Sequence, residues 1–456
     1  MNNTSDTHGI LNGPLRPAIW KLALPAIASG LLMSANSVAD KLFMGRLGVD
    51  ALAIVMVVHE VRLALMTILV AFSVGAAAII GRAIGASNKA EAMAALRQTV
   101  LVSVVIGSGI GVIVAIYAPI LLQTIGYRGD PSSFDEGVKY LRWSMLAVPS
   151  LFTLVIGNTV FGVLGESRRA LQVIAVAVAL NILFDYILIF GMFGFPRMGV
   201  TGGGAALCIS QTVATLLFIA FLSGTRLSGG LSGSWRPDLS MIKRILHVGL
   251  PASARQAVVA LSGLTIQALL LRTQSGSAAG AAHGIGVLIE SLAFLPGNAF
   301  ASTAGTFVSQ NLGARNLMRA KDAALVSIGQ AVLTMTLAGA VFGLLAEGLA
   351  QLMLPSSAPD AVNLATRYLH LMAFVQPAVA VNLVLAGVLS SAGDTRTPRT
   401  VTFVTTGLRV LLAYVLSTFT GLGVMGVWLG VASTPVMSMF LLIAVYRRGN
   451  WADLKV

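Results

Sequence analysis

Four polar residues recur in one arrangement within a chain that is otherwise strongly apolar. NSVAD places Asn36 four residues before Asp40, and NILFD places Asn181 four residues before Asp185. In a helix, residues four apart share a face, so each carboxyl has a carboxamide beside it. Both stretches lie in apolar runs long enough to cross a bilayer, where an ionisable side chain marks a functional position by default. A carboxylate withdrawn from water is costly unless it takes up a proton or a cation. Two that meet across a cavity can share a proton or hold a cation between them, which is the chemistry of a coupling site. The competing reading is structural, with each aspartate capping a helix end or pairing with a nearby base, and Lys41 keeps it open for Asp40.

The elements that carry these residues follow from composition. The 456 residues are 56% hydrophobic and 10% charged, with a mean hydropathy of +0.86, against about 25% charged in an average soluble domain. Apolar stretches of about 18 residues or more recur along the chain, each long enough to cross a bilayer as a helix. Backbone groups in lipid must bond internally, so the spans are helical and the fold class is an all-α integral membrane protein. Spans are expected near 17–43, 53–80, 97–121, 139–164, 170–193 and 199–223, then near 245–271, 279–309, 322–346, 365–392, 399–420 and 423–446. The polar, Gly/Ser-rich stretch at 224–244 reads as the linker between a six-helix lobe at 1–223 and another at 245–456. The run after Pro14 shows no small-residue cleavage site, so the first span is expected to stay in the protein.

Several function classes drop out. The net charge of +13 comes from basic residues scattered singly between apolar runs, not from a patch suited to nucleic acid. The single Cys208 gives neither a disulfide framework nor a metal cluster. No G-x-x-x-x-G-K-[ST] loop and no H-E-x-x-H motif is present, and no polar stretch is long enough for a catalytic domain.

The two sets of spans read as copies. IGRAIGASNKAEAMAA at 80–95 is echoed by VSQNLGARNLMRAKDAA at 308–324, with Gly85 and Gly313 separated by 228 residues. GESRRA from Gly165 is echoed by GDTRTP from Gly393 at the same offset, and the prolines of LPAIASG and LPASARQ differ by 226. Similarities in one order at nearly one offset indicate an internal duplication. Six spans is an even number, so the repeats are parallel. About 19 of the 30 Lys and Arg fall on the side of the termini and linker and about 8 on the other, which puts both termini in the cytoplasm.

The duplication supplies a comparison for the aspartates. At an offset of 228, Ala268 stands opposite Asp40 and Ala413 opposite Asp185, so the pair belongs to one copy only and reads as specialised. Glu60, Arg62, Arg255, Glu290 and Arg409 read as structural ion pairs or as side chains reaching the helix ends, and His59 and His283 as hydrogen-bonded histidines. Pro25 removes a hydrogen bond from the first span and gives it a place to bend, about four turns before Asp40. The 17 methionines and 19 phenylalanines can line an adaptable apolar cavity, although most serve lipid or core contacts.

These motifs together resemble a known family. LALPAI opens the first span, MGRLG follows it and AGDTRTP follows the tenth, and with two six-helix repeats the chain is similar over nearly its whole length to the multidrug and toxic compound extrusion (MATE) transporters. The bacterial DNA-damage-inducible (DinF-like) branch is the most similar, with Asp40, Asn181, Asp185 and Pro25 standing at its motif positions. The resemblance implies a V-shaped pair of lobes in the cytoplasmic (inner) membrane. It implies a monomer exporting drug-like, often cationic or amphipathic compounds in exchange for protons, or for sodium held at Asp40, Asn181 and Asp185, with no other cofactor. Met33, Arg255 and Gln256 are candidate substrate-cavity residues. Leu207 stands where a sodium-binding relative is expected to carry a small hydroxyl residue, which favours protons. PASARQ and HLMAFVQPAVAVNL lack the carboxylates that some branches place in the seventh and tenth helices. Two other readings compete: a flippase for lipid-linked saccharides, which would want a cationic cavity built from Arg62, Arg255 and Arg409, and an intramembrane enzyme acting through the aspartates.

The charge asymmetry makes a direct prediction. A cysteine placed at Ser232 in a Cys208→Ser background is expected to resist an impermeant thiol reagent on intact cells and to react after the membrane is opened. Labelling from outside intact cells would reverse the orientation.

Overall fold

The structure is a computed structural model that describes residues 9–47, 49–124, 131–353, 359–449 and 451. The long elements in the first repeat are α1 (Leu15–Gly45), α2 (Val49–Gly85), α3 (Lys89–Ile116), the short α4 (Ala118–Thr124), α5 (Pro131–Leu146), α6 (Val148–Val163), α7 (Ser167–Phe190) and α8 (Val200–Leu222). The second repeat contains α9 (Leu239–Leu271), α10 (Gly276–Gly313), α11 (Leu317–Leu344), the short α12 (Ala346–Met353), α13 (Pro359–Ser391), α14 (Arg396–Thr418) and α15 (Gly423–Arg448). Among the described residues, eleven helices are long and apolar enough to cross a membrane, and α5 with α6, bent by 43° at their junction, makes a twelfth span.

The bend has a local cause that the duplication repeats. Pro149 near the start of α6 has no N–H to give to the Met145 carbonyl, and Pro377 inside α13 has none for Ala373. Each freed carbonyl faces a glycine on the neighbouring helix. A Cβ on Gly111 of α3 would come 2.7 Å from Met145 O, and one on Gly339 of α11 would come 3.1 Å from Ala373 O. All three residue pairs are 228 apart.

Loop geometry carries the same signature. Asn88 caps α3 by accepting from the Glu91 N–H, and Asn316 caps α11 by accepting from the Arg319 N–H. Ser87 and Arg315 both adopt left-handed backbone, with φ of 58° and 60°, as do Gly165 and Gly393. In the last helix of each repeat the register changes. Gly202 packs on Leu188 as Gly426 packs on Leu416, so the offset there is 224, because four fewer residues separate Leu416 from Gly426 than separate Leu188 from Gly202.

Two compact units result, one of residues up to Ala23 together with those from Leu250 onward, the other Leu24–Gly249. The divisions therefore fall inside α1 and α9, not at the 223 and 245 boundaries expected from the linker. The reason is packing. Ile19, Leu22 and Ala23 at the start of α1 are buried in one cluster with Phe300, Phe307 and Val388. The start of α9 packs so tightly on α2 that a Cβ on Gly249 would run into the Ala71 carbonyl. Pro25 and Pro251 are each the second residue past a division. The linker is held too: Arg97 donates to the Gly230 and Ser232 carbonyls, and Gln98 donates to Arg236 O and accepts from the Asp238 N–H. Asp238 begins α9 by accepting from the Ser240 hydroxyl and from the Met241 and Ser240 N–H groups, which holds its carboxyl below the usual carboxylate range.

Gly111→Ala is expected to lower the thermal midpoint in detergent by the equivalent of about 1–3 kcal/mol, the range for overfilling a packed contact. Gly109→Ala on the same helix, where nothing lies within 4 Å of an added Cβ, should cost nothing; equal losses would mean that the close approach is not limiting.

Candidate functional site

The unit Leu24–Gly249 contains a cavity of about 160 Å³ whose wall includes Asp40, Asn36, Asn181, Arg62, Tyr140 and Leu207. Asp40 and Asp185 each lie five residues before the end of a helix, α1 and α7 respectively, so neither is a helix-start cap. Their side chains face each other within hydrogen-bonding range. Asp40 lines the cavity. Asp185 lies behind it, 2% exposed.

Carboxamides link the two. Asn36 Nδ2 donates to Asp40 Oδ2 at 3.4 Å and to Asn181 Oδ1 at 3.0 Å, and Asn181 Nδ2 donates to Asp185 Oδ2 at 2.9 Å. The i, i+4 spacing in both helices thus produces the local pairs, and the Asn36–Asn181 bond joins them. Asn36 Oδ1 and Asp40 Oδ1 are buried without a partner, which leaves two acceptor oxygens at the pair. Arg62 and Lys41 are the positive charges acting on Asp40.

Close helix packing seals the inner aspartate. At Gly203 of α8 an added Cβ would collide with Met44 Cε and sit 3.6 Å from Asp185 Oδ1, and at Gly204 it would meet Trp143 and Tyr140. The run Gly202-Gly203-Gly204 therefore brings α8 against the end of α1 and against α5. Leu207, one turn further on, is 5% exposed and places an isobutyl group on the cavity wall.

Of the other sequence candidates, Met33 and His59 line this cavity. Arg255 and Gln256 lie on α9 in the other compact unit and are not among its lining residues. Pro25 is buried in α1, and the Ser29 hydroxyl donates to its carbonyl at 2.9 Å. The Glu60 side chain falls outside the described residues. Arg62 and Glu290 do not reach for helix ends. Arg62 is on the cavity wall, and Glu290 is buried midway along α10, where it accepts from the Tyr368 hydroxyl at 2.9 Å. Tyr140 was not singled out from the sequence. Its signal was present as a second tyrosine, Tyr368, at the same offset of 228.

A duplicated bundle of twelve spans, with a carboxyl pair beside an internal cavity and no nucleotide loop, is the architecture of a multi-pass membrane transporter. The MatE family profile matches residues 25–187 and 251–415, which covers both repeats, and the chain belongs to this family of transporters. The intramembrane-enzyme reading falls with that result. The chain is 28% identical over 447 residues to a probable multidrug resistance protein NorM of Thermotoga maritima, across 96% of this chain and 93% of the relative. It is 25% identical over 388 residues to an FAD transporter of Shewanella oneidensis, across 85% and 84%. Its fold matches that of a multidrug resistance MATE family transporter solved in an outward-facing conformation, with a TM-score of 0.88 at 22% identity over the whole of both chains.

Asn181→Leu keeps the branched side-chain shape but removes both the donor to Asp185 and the acceptor for Asn36. A loss of about 1–3 kcal/mol in thermal stability is expected, the range for a buried polar group left without its partner. An unchanged melting midpoint would show that the bridge does not hold the pair.

Proposed function

We propose that this protein is a secondary antiporter of the cytoplasmic membrane that exports drug-like, often cationic or amphipathic compounds in exchange for protons, with Asp40 and Asp185 as the exchanging pair. The observation that carries this reading is the placement of one carboxyl on a cavity wall and the other sealed directly behind it. Two carboxyl groups at that separation cannot both carry charge in an apolar bundle without a proton or cation between them. The pair is held by neutral amides, which tolerate either charge state. A cationic substrate at the cavity wall satisfies Asp40 as a proton does, so each ligand shifts the population that the other needs, and exchange follows. Pro25, just past the division between the units, offers the bend through which α1 responds.

Sodium is the second reading, supported by the unpartnered oxygens Asn36 Oδ1 and Asp40 Oδ1. Leu207 weighs against it, since it presents carbon where a further oxygen ligand would help. The relatives with multidrug-resistance names support a drug-like substrate over a lipid-linked saccharide. Both termini are taken as cytoplasmic and the functional unit as a monomer. The driving force is an ion gradient, because the chain carries no nucleotide site.

Asp40→Asn and Asp185→Asn are expected to fold, to bind a fluorescent cationic substrate, and to lose gradient-driven efflux by at least an order of magnitude. Ala268, exposed on α9, is the suitable control for substitution. Ala413 is not, because it packs on Gly430 with a would-be Cβ contact of 2.8 Å. If both Asn variants at parental levels export as the parent does, the aspartates are structural.

A further inference from the structure

The unit that contains α10–α15 also holds a buried polar cluster, and its members stand at the duplicated positions of the Asp40–Asp185 site. Glu290 of α10 corresponds to Arg62, Tyr368 of α13 to Tyr140, and Arg409 of α14 to Asn181, each at the offset of 228. Acid and base have changed places. The first repeat has its carboxyls at Asp40 and Asp185 and its guanidinium at Arg62. The second has alanine at both aspartate positions, a carboxyl where the guanidinium was, and a guanidinium where the carboxamide was. Because a residue-by-residue comparison looks for an aspartate opposite an aspartate, it finds only Ala268 and Ala413 and misses the exchange.

The cluster is built for a single acidic group. Glu290 is 7% exposed and its hydrogen bond comes from a neutral donor, the Tyr368 hydroxyl. The Tyr368 ring is fixed by its surroundings. Gly286 leaves it room, since a Cβ there would collide with Tyr368 Cδ1, and His283 and Trp428 hold it edge-on at centroid distances of 5.2 and 5.4 Å. Gln376, fully buried, faces Glu290 within reach of a hydrogen bond, without a well-formed one. Arg409 Nε, His283 Nδ1 and Trp428 Nε1 are likewise buried and unbonded. Arg409 acts on Glu290 electrostatically, but among the described residues no salt bridge joins them. A permanent ion pair in a bundle core would close its hydrogen bonds, because leaving them open forfeits what offsets the desolvation of both charges. Open donors and acceptors around one carboxyl fit instead a group that alternates between two states, with water satisfying whichever atoms each state leaves free.

We propose that Glu290 is a second proton-carrying group, placed by the duplication in the counterpart of the Asp40–Asp185 site with acid and base exchanged. When Glu290 is protonated, Tyr368 and Gln376 hold a neutral carboxyl; when the proton leaves, Arg409 balances the charge. The titratable and charged groups that face it are Tyr368 from α13, Arg409 from α14 and, across the Tyr368 ring, His283 of its own helix. Its consequence for transport, an additional proton moved in the cycle, rests on the antiport reading above. The protonation itself does not.

Infrared difference spectra of the purified full-length protein in lipid nanodiscs, between alkaline and mildly acidic buffer, read the high-frequency C=O stretch of carboxyl groups in apolar sites. The Asp40→Asn, Asp185→Asn double variant is expected to keep one such band, and adding Glu290→Gln should abolish it. No residual band in the double variant, or a residual band that survives Glu290→Gln, would overturn the proposal. Should the triple variant not fold, Tyr368→Phe in the double-variant background removes the hydrogen bond to the carboxyl and must shift the residual band; an unshifted band overturns the assignment equally. A parent spectrum that the two aspartate substitutions leave unchanged would count against Asp40 and Asp185 as the coupling pair and leave Glu290 to be judged by its own band.

Discussion

A carboxyl group inside a bundle of apolar helices has no water to stabilise its charge, and this protein sets two of them face to face. That contact dictates its surroundings. Asp40 and Asp185 need neutral groups that accept either charge state, and Asn36 and Asn181 supply them from one turn away on the same helices. They need lipid and bulk water kept out from behind, and the glycine run of α8 does this by letting that helix close on Met44 and Tyr140. In front of Asp40 they leave a cavity. Removing the paired carboxyls would leave no evident reason for Gly203 to sit under Met44, or for two carboxamides to be spent in an apolar core.

The duplication explains how one scaffold tolerates this. Helix packing is copied closely: Pro149 and Pro377 free the carbonyls of Met145 and Ala373, and Gly111 and Gly339 make room for them. The chemistry is not copied. In the second copy the Asp185 position is Ala413, packed hard on Gly430, while the Arg62 position carries Glu290. Backbone contacts at glycine are set by the approach of two helices and survive side-chain change elsewhere, so the scaffold stayed symmetric while the polar groups diverged.

Much of this was legible in the sequence. The asparagine–aspartate pairs at i, i+4, the repeat offset and the spans all rest on local spacing, which a helix converts directly into shared faces. What was not legible depends on contacts between distant segments. The linker composition pointed to lobe boundaries near 223 and 245, yet the compact units divide within α1 and α9, because Ile19 and Leu22 pack with Phe300 while Gly249 packs with Ala71. Arg62 and Glu290 read as structural ion pairs or as side chains bound for helix ends, since a charge alone does not reveal whether a cavity or a tyrosine hydroxyl awaits it. Tyr140 carried no local signal at all, and only its counterpart Tyr368 marked it.

The proposed role of the facing carboxyls is to convert a proton gradient into export. Its most direct test uses purified protein in liposomes loaded with a fluorescent cationic substrate, with the pH gradient and the sodium gradient imposed separately. The expected result is substrate movement under the pH gradient alone, accompanied by counterflow of protons, and none under the sodium gradient alone. Movement driven by sodium without a pH gradient, or unchanged movement with neither gradient present, would contradict it.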